Sequence, residues 1–241
     1  MNKIYVLVPI YNFGLFLDTC LKSIFLQTYK KYICILFDDG STDNSIDICN
    51  IYTKKYPDKF KYLKLSNENN GPAYSKYNGI NFVKNICTKE DIFMIIDGDD
   101  YLINPYAFSI IVNTYINKKC WATFGSYIGK FSGYQKNVNM TKYSRKIWHY
   151  APPRSCKCFL LKLFTEDDFK YKDNTWLKKA TDLAFFCNII EWSGIEKVQF
   201  IKTVIYKYRE HSNNVHQKKT KLLSDHVSYV KSKNKKQKYI L

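Results

Sequence analysis

Apolar and polar positions follow two alternating periods along the first half of the chain. Continuous apolar runs of strand length predict buried strands at residues 3–9, 32–39, 60–66 and 91–97. Segments between them carry apolar residues at helical spacing and predict helices at 15–27, 45–56 and 71–84. Strands that alternate with helices predict an α/β fold, with a mostly parallel sheet covered by helices.

The pattern is less regular beyond residue 117. Residues 121–134 predict a strand pair, 136–146 an exposed loop, and 155–164 a strand or a short helix. Apolar residues at helical spacing predict a helix over 176–192, ended by Gly194, and residues 203–211 predict a last strand. From residue 218 the chain is rich in lysine, and 231–238 is expected to be frayed or disordered.

Composition narrows the possible partners. The 241 residues are 46% hydrophobic, which is enough for one well-buried domain, and the net charge is +17. The positive charge comes mainly from lysines spread along the chain, and no nucleic-acid-binding motif accompanies them, so we predict no nucleic acid partner.

The eight cysteines form no CxxC pair and no apolar run reaches bilayer length. We predict a cytoplasmic protein whose basic tail allows peripheral contact with a membrane surface.

Polar residues follow each predicted strand of the first half. They are the segments 9–12, 38–43, 69–71 and 97–100, and the carboxyl ends of parallel strands converge on one rim. Turn chemistry alone explains any one of these segments, but four on one rim, two with paired acids, favour a binding site. Mg²⁺ or Mn²⁺ would neutralise such acids, and a nucleoside diphosphate would supply further oxygen ligands.

These segments also carry a family resemblance. VLVPIYN, FDDGSTD, NNGPAYSKYNGI and IIDGDDYLINP, in this order, resemble glycosyltransferase family 2. The resemblance implies a GT-A fold, a nucleotide-sugar donor and inversion at the anomeric carbon. It is strong over about the first 110 residues and thinner to about residue 212. We therefore predict one domain over 1–212, with a donor-binding half at 1–117, an acceptor-side half at 118–212, and an extension at 213–241.

The resemblance assigns nucleotide-binding roles to residues at the strand ends. Pro9, Tyr11 and Asn12 would line the nucleotide pocket, with Tyr11 near the base. Asp39 would contact the base or the ribose, and Asp97 would face the ribose.

It also assigns the metal and the phosphates. Asp99, with or without Asp100, would hold the cation. The closing segment YKYREHSNN places His211 as a metal ligand or phosphate hydrogen-bond donor, and Arg209 as a phosphate contact. A structural role for His211 remains open at this stage.

The third motif departs from the family pattern. Ser75-Lys76-Tyr77 stands where the family usually has Ala-Arg-Asn, so Lys76 keeps the positive charge but loses the bidentate geometry of arginine. Pairing of Lys76 with the diphosphate and exposure of Lys76 to solvent both remain open.

Inverting transfer requires a base on the acceptor side. The family places an acid, commonly as Glu-Asp, at the start of a helix in the second half. The match here is Thr181-Asp182 in WLKKATDLAFF, where the first acid is lost and Asp182 remains. The rival acids at 166–168 are expected to form a solvated turn. Arg154 is one of only three arginines, which suggests a contact to the acceptor or the donor sugar.

The sequence therefore predicts a transferase that moves a sugar, from a UDP-linked donor, to a glycan, lipid-linked or protein acceptor. Two alternatives remain: an inactive relative that binds a glycan or a protein, and a sugar nucleotidyltransferase.

Overall fold

A parallel sheet forms the centre of the first half in a computed structural model of the chain, which describes residues 2–129, 143–146, 148, 150–211 and 220–240. Its strands lie in the order β3 (Phe60–Ser66), β2 (Tyr32–Asp39), β1 (Ile4–Ile10) and β4 (Ile92–Ile95), each parallel to its neighbour. Every residue of β1 except Pro9 is buried, because this sheet is covered on both faces.

Helices cover the two faces, as the alternation of strands and helices predicts. They are α1 (Leu17–Phe25), α2 (Ser45–Lys55), α3 (Pro72–Lys84) and α4 (Ala107–Lys118). Successive residues of β1 point to opposite faces, so Leu7 packs in the cluster with α3 and Val6 in the cluster with α1, α2 and α4. No helix within the described ranges combines the length and the hydropathy needed to cross a membrane.

The second half extends this sheet and adds a smaller one. Strand β8 (Ala151–Lys157) lies antiparallel between β4 and β6 (Ala122–Gly125), and β9 (Val198–Phe200) pairs with β6. The smaller sheet has the order β5 (Tyr101–Leu102), β10 (Tyr206–Lys207) and β7 (Tyr127–Ile128). Since β5 directly follows the acidic turn at 97–100, pairing with β10 brings residues beyond 207 to that turn. The predicted α/β fold is confirmed.

Several local predictions for the second half need correction. The described part of 121–134 holds two strands, β6 and β7, but they belong to different sheets and do not pair with each other. Residues 155–164 contain both predicted forms, the end of β8 followed by a 3₁₀ turn at Cys158–Leu163. The last strand is only two residues long, at β10.

The helix predicted from residue 176 begins later, as α5 (Thr181–Ser193). Ala180 has φ 58°, a left-handed conformation that prevents the helix from extending backwards. Before it, Trp176 pairs with Lys170 across a short bridge, and Leu177 donates a backbone hydrogen bond to Phe169. Leu177 is buried on this irregular segment, which explains why the apolar spacing resembled a longer helix.

The C-terminal extension packs against the domain. It forms α6 (Lys221–Ser232) and an irregular segment in which Tyr239 donates a backbone hydrogen bond to Trp192. Lysines of this extension pair with acids of the preceding residues: Lys236 with Asp168 at 2.6 Å, and Lys238 with Glu196. The expectation of a frayed end at 231–238 was therefore wrong, because lysine-rich composition does not reveal these local anions.

A buried ion pair holds the extension to α5. Arg145 and Glu191 are both buried and joined by two bonds of 2.6 Å, and the Arg145 guanidinium also donates to the carbonyl of Val230 in α6. Glu191 also accepts from the backbone of Lys236 at 2.8 Å. Within the predicted exposed loop, Arg145 is therefore buried while Lys146 is exposed as predicted; residues 136–142 lie outside the described ranges.

We predict that Glu191→Ala lowers the free energy of unfolding by about 3–5 kcal/mol, because it leaves the buried Arg145 charge without its partner. The matched control is Glu196→Ala, whose pair with Lys238 is exposed and should change stability by less than about 1 kcal/mol. Urea unfolding of both variants measures the difference. Equal effects would contradict the assignment of Glu191 as the buried anchor.

Candidate active site

The ends of β1 and β4 meet at the acidic turn. A Cβ at Gly98 would lie 2.7 Å from the ring of Phe13 and 3.3 Å from the carbonyl oxygen of Pro9. Only glycine fits there without displacing Phe13. This close approach places Pro9 and Asp97 on one rim, as the strand order predicts.

Asn12 fixes the loop that follows β1. Its backbone has φ 55°, and its amide oxygen accepts a hydrogen bond from Thr42 N at 2.8 Å. The Asn12 backbone N–H donates to Ser41 Oγ at 3.0 Å. Asn12 therefore joins the loops after β1 and β2, and the neighbouring Tyr11 side chain is exposed at the rim.

Asp39 is buried at the end of β2. One oxygen accepts from Gly71 N at 2.7 Å and the other from Asn70 Nδ2 at 3.3 Å. These bonds hold the turn before α3, so any contact with a nucleotide would add to a structural role.

Asp97 and Asp99 lie on the rim with partly buried side chains. Burial raises the pKa of the Asp97 carboxyl to about 6; the nearby Lys76 lowers it, while Asp182 and Asp99 raise it further. Asp99 Oδ2 lies 3.0 Å from His211 Nε2. Asp97 and Asp99 thus lie close together, and each has a different neighbour: Lys76 for Asp97 and His211 for Asp99.

Asp100 has a buried side chain. One of its oxygens accepts from Tyr206 OH at 2.7 Å and the other from Arg209 N at 2.8 Å. Burial, with repulsion from Asp97 and Asp99, raises the pKa of the Asp100 carboxyl to about 9. Asp100 therefore anchors the acidic turn to β10, and its assignment as a metal ligand stays a prediction.

His211 and Arg209 approach the turn from β10. The His211 ring stacks on Phe16, with centroids 4.5 Å apart. The Arg209 guanidinium lies 5.0 Å from the Phe16 ring and 5.2 Å from the Tyr101 ring. Phe16 therefore supports both residues, a role that its apolar character alone did not indicate.

Asp182 lies in the first turn of α5 and contacts two cations. Lys76 Nζ from α3 pairs with one oxygen, and Arg154 NH1 from β8 pairs with the other at 2.9 Å. Lys76 also donates to Thr181 Oγ1 at 3.1 Å. The Lys76 side chain is only 5% exposed, so the alternative that it faces solvent is wrong.

The two cations control the charge of Asp182. Although burial opposes ionisation, the Lys76 ammonium and the Arg154 guanidinium hold the pKa of the Asp182 carboxyl well below its usual range. Conversely, Asp182 and Asp97 raise the pKa of Lys76 against the effect of its burial. Asp182 is therefore a paired carboxylate, and its side chain is still 35% exposed.

Arg154 is held rigidly at this position. Its Nε donates to the Tyr150 carbonyl at 2.6 Å, and its guanidinium lies 5.3 Å from the Trp148 ring centre. Arg154 pairs in register with Ile95 of β4, which sets it beside the acidic turn. The scarcity of arginine was the only sequence signal for this residue.

The rival acids at 166–168 have other contacts than Asp182. The prediction that they are solvated is wrong for Asp168, which is buried and accepts from Thr165 N, from Asn188 Nδ2 and from Lys236 Nζ. These contacts give Asp168 a structural role that residue type alone did not indicate.

The comparisons with known proteins agree with this geometry. The model of the family described as glycosyl transferase family 2 matches residues 5–198. The chain belongs to this family. Among characterised relatives, glycosyltransferase GlyG of Streptococcus pneumoniae is 39% identical over 97 residues, covering 40% of this chain and 30% of GlyG. The membership confirms the predicted family.

Solved structures share the fold at low sequence identity. S. aureus TarS 1-349 in complex with UDP-GlcNAc has a TM-score of 0.64 and 17% identity, over 88% of this chain and 60% of TarS. The mannosyltransferase PcManGT from Pyrobaculum calidifontis, in complex with GDP-Man and Mn²⁺, has a TM-score of 0.68 and 18% identity, over 89% of this chain and 59% of that protein. The chain thus spans less than two thirds of each of these proteins.

The groups at Asp99 suit a hard divalent cation. Asp99 and His211 offer an oxygen and a nitrogen within 3.0 Å of each other. Within the described ranges, no three His, Cys, Asp or Glu side chains converge on one point. Asp99 and His211 are thus two candidate ligands, and Mg²⁺ or Mn²⁺ commonly takes its other ligands from substrate phosphates and water.

We predict that the two neighbouring acids respond differently to removal. Asp100→Ala should lower the free energy of unfolding by about 1–3 kcal/mol, because Tyr206 OH and Arg209 N lose a buried acceptor. Asp99→Ala should change the free energy of unfolding by less than about 1 kcal/mol. The variant loses the contact with His211, but it also removes the repulsion of Asp99 from Asp97 and Asp100. Urea unfolding of both variants decides, and a larger loss in Asp99→Ala would contradict the anchor role of Asp100.

Proposed function

We propose that this protein transfers a sugar from a UDP-linked donor to an acceptor hydroxyl, with inversion at the anomeric carbon. The observation that carries the proposal is the position of Asp182, at the start of α5 and paired with Lys76, a cation that also interacts with Asp97 of the acidic turn. A base and a phosphate-binding rim that share one cation suit a transfer in which the acceptor and the diphosphate are held close together.

The nucleotide would occupy the rim formed by the ends of β1, β2 and β4. Pro9, Tyr11 and Asn12 would border it, with the exposed Tyr11 ring available for the base. Asp97 would face the ribose, and Asp39 would shape the pocket through the turn before α3. The UDP and UDP-GlcNAc complexes of TarS support a uridine nucleotide.

The diphosphate would lie near Asp99. Asp99 and His211 would hold Mn²⁺ or Mg²⁺, and the Mn²⁺ of the PcManGT complex supports this choice. When bound, such a cation neutralises the phosphates and stabilises the leaving group. Arg209, fixed beside Phe16 and Tyr101, is the additional cation proposed for the phosphates.

Lys76 and Arg154 would pair with two anions in turn, the Asp182 carboxylate and the donor diphosphate. Without a donor they pair with Asp182, which keeps this carboxylate a weak base. A diphosphate offers these cations a second anionic partner, and any weakening of their pairing with Asp182 raises the proton affinity of that carboxylate. We therefore propose that donor binding prepares Asp182 for catalysis.

In the transfer step, the acceptor oxygen forms a bond to the anomeric carbon while the bond from that carbon to the phosphate oxygen breaks. Asp182 takes the hydroxyl proton, and the nucleoside diphosphate leaves with the bonding electron pair. The acceptor would enter beside the exposed face of Asp182. A glycan, a lipid-linked saccharide or a glycosylated protein all present such a hydroxyl.

Peripheral membrane contact through the basic extension receives little support from its contacts. Lys233 and Lys236 donate to oxygens of the protein itself, which leaves fewer lysines for anionic lipid.

We predict that the protein releases UDP from at least one UDP-sugar in the presence of Mn²⁺. EDTA should abolish the release, added Mn²⁺ should restore it, and Asp99→Ala should remove the metal-dependent part, because it takes away a proposed ligand. A screen of UDP-glucose, UDP-N-acetylglucosamine, UDP-galactose and GDP-mannose, with free nucleotide as the readout, measures this.

The same screen separates the alternatives. Saturable binding of UDP without turnover of any donor would favour an inactive binding module, for which the pairing of Asp182 with two cations is the supporting observation. Consumption of UTP with a sugar phosphate would favour a nucleotidyltransferase. Either outcome would contradict the proposed transfer.

We predict that Asp182→Asn lowers the rate of transfer by about 10²–10⁴-fold, because the amide cannot take the acceptor proton. UDP binding should persist or tighten, since Lys76 and Arg154 lose a competing anion. Steady-state transfer and calorimetric titration with UDP and Mn²⁺ measure the two effects.

The matched control is Asp167→Asn, an exposed acid of the rival segment, which should keep the wild-type rate. A wild-type rate in Asp182→Asn, or loss of UDP binding in that variant, would show that Asp182 is not the base.

A further inference from the structure

The segment that leads into α5 is held by the C-terminal helix. Residues 171–180 form an irregular connection between the 3₁₀ turn at Glu166–Phe169 and α5. Tyr171, at its start, lies in edge contact with Tyr229 of α6, with ring centroids 4.8 Å apart. The position of this connection determines where α5 begins, and therefore where Asp182 lies.

His226 of α6 makes the central contact. Its side chain is buried, and its ring lies 4.6 Å from the ring of Tyr171 at an angle of 33°. His226 Nδ1 accepts a hydrogen bond from the backbone N–H of Lys179 at 3.2 Å. An accepting Nδ1 requires the neutral ring with its proton on Nε2.

The hydrogen bond lies three residues before Asp182. Lys179 is followed by Ala180, whose left-handed backbone turns the chain into α5. An alanine in this conformation persists only where its surroundings hold it. The bond from Lys179 to His226 is one such restraint, because it fixes the peptide immediately before the turn.

Burial keeps His226 neutral. It lowers the pKa of His226 and outweighs the raising effects of the Lys179 backbone hydrogen bond and of Asp173 and Asp225. The ring therefore retains its accepting nitrogen at neutral pH.

We propose that His226 is a positioning residue for the glycosyl transfer: through Lys179 it fixes the turn at Ala180 and so holds Asp182 in place. This inference rests on the proposed role of Asp182 as the base. It makes the C-terminal extension part of the catalytic structure, because α6 supports the residues that lead into α5.

The test compares two amides at position 226. In His226→Asn the side-chain oxygen occupies the place of Nδ1 and can accept from Lys179. In His226→Gln the oxygen reaches the place of Nε2, one bond further out, and cannot accept from Lys179 in the same geometry. The two variants are equally polar and neither can be protonated, so they differ mainly in the hydrogen bond.

Two readouts follow from the proposal. With the UDP-sugar that the screen identifies, His226→Gln should lower kcat about tenfold and leave the KM for the donor unchanged, while His226→Asn should keep the wild-type kcat. By hydrogen exchange, the amide of Lys179 should exchange about fivefold faster in His226→Gln than in the wild type or in His226→Asn. Ser228→Ala, on the exposed face of α6, should change neither readout.

Equal kcat values in the Asn and Gln variants would overturn the proposal, as would equal exchange of the Lys179 amide. A parallel change of kcat and donor KM in His226→Gln would also overturn it, because it would indicate a general loss of structure. The exchange measurement needs no turnover, so it tests the contact even if no donor is consumed. Absence of turnover in the wild type would contradict the proposed function alone.

Discussion

The paired carboxylate of Asp182 is the contact on which the site depends. It joins Lys76 on α3, Arg154 on β8 and the start of α5, so that three elements from both halves of the chain meet at one anion. The pairing neutralises two cations that would otherwise be costly to bury, and it places them beside the acidic turn. The same arrangement stabilises the fold without a donor and offers positive charge to a diphosphate.

The acidic turn is organised by what surrounds each acid. Asp100 is anchored by Tyr206 and by the backbone of Arg209, whereas Asp99 stays on the rim beside His211. Asp97 lies close enough to Lys76 for their charges to interact. Three aspartates in four positions thus have three different environments, and the neighbours of Asp99 and Asp100 come from β10 and the residues that follow it.

The sequence predicted the first half of the fold and its rim well, because the determinants there are local. Apolar runs and turn residues such as Gly98 specify where strands end, and parallel strands bring those ends together. The start of α5 was missed because the left-handed Ala180 depends on distant contacts, including the one from His226. The anchoring of Asp100 could not be predicted for the same reason, since Tyr206 lies 106 positions away.

We propose that a metal-bound diphosphate occupies the rim at Asp99 and competes with Asp182 for its two cations. Crystals grown with Mn²⁺ and UDP, measured for anomalous scattering, test this competition. We expect a manganese peak at Asp99, with Lys76 or Arg154 turned from Asp182 towards the phosphates. Manganese bound away from Asp99, or a bound diphosphate with both cations still on Asp182, would contradict the account.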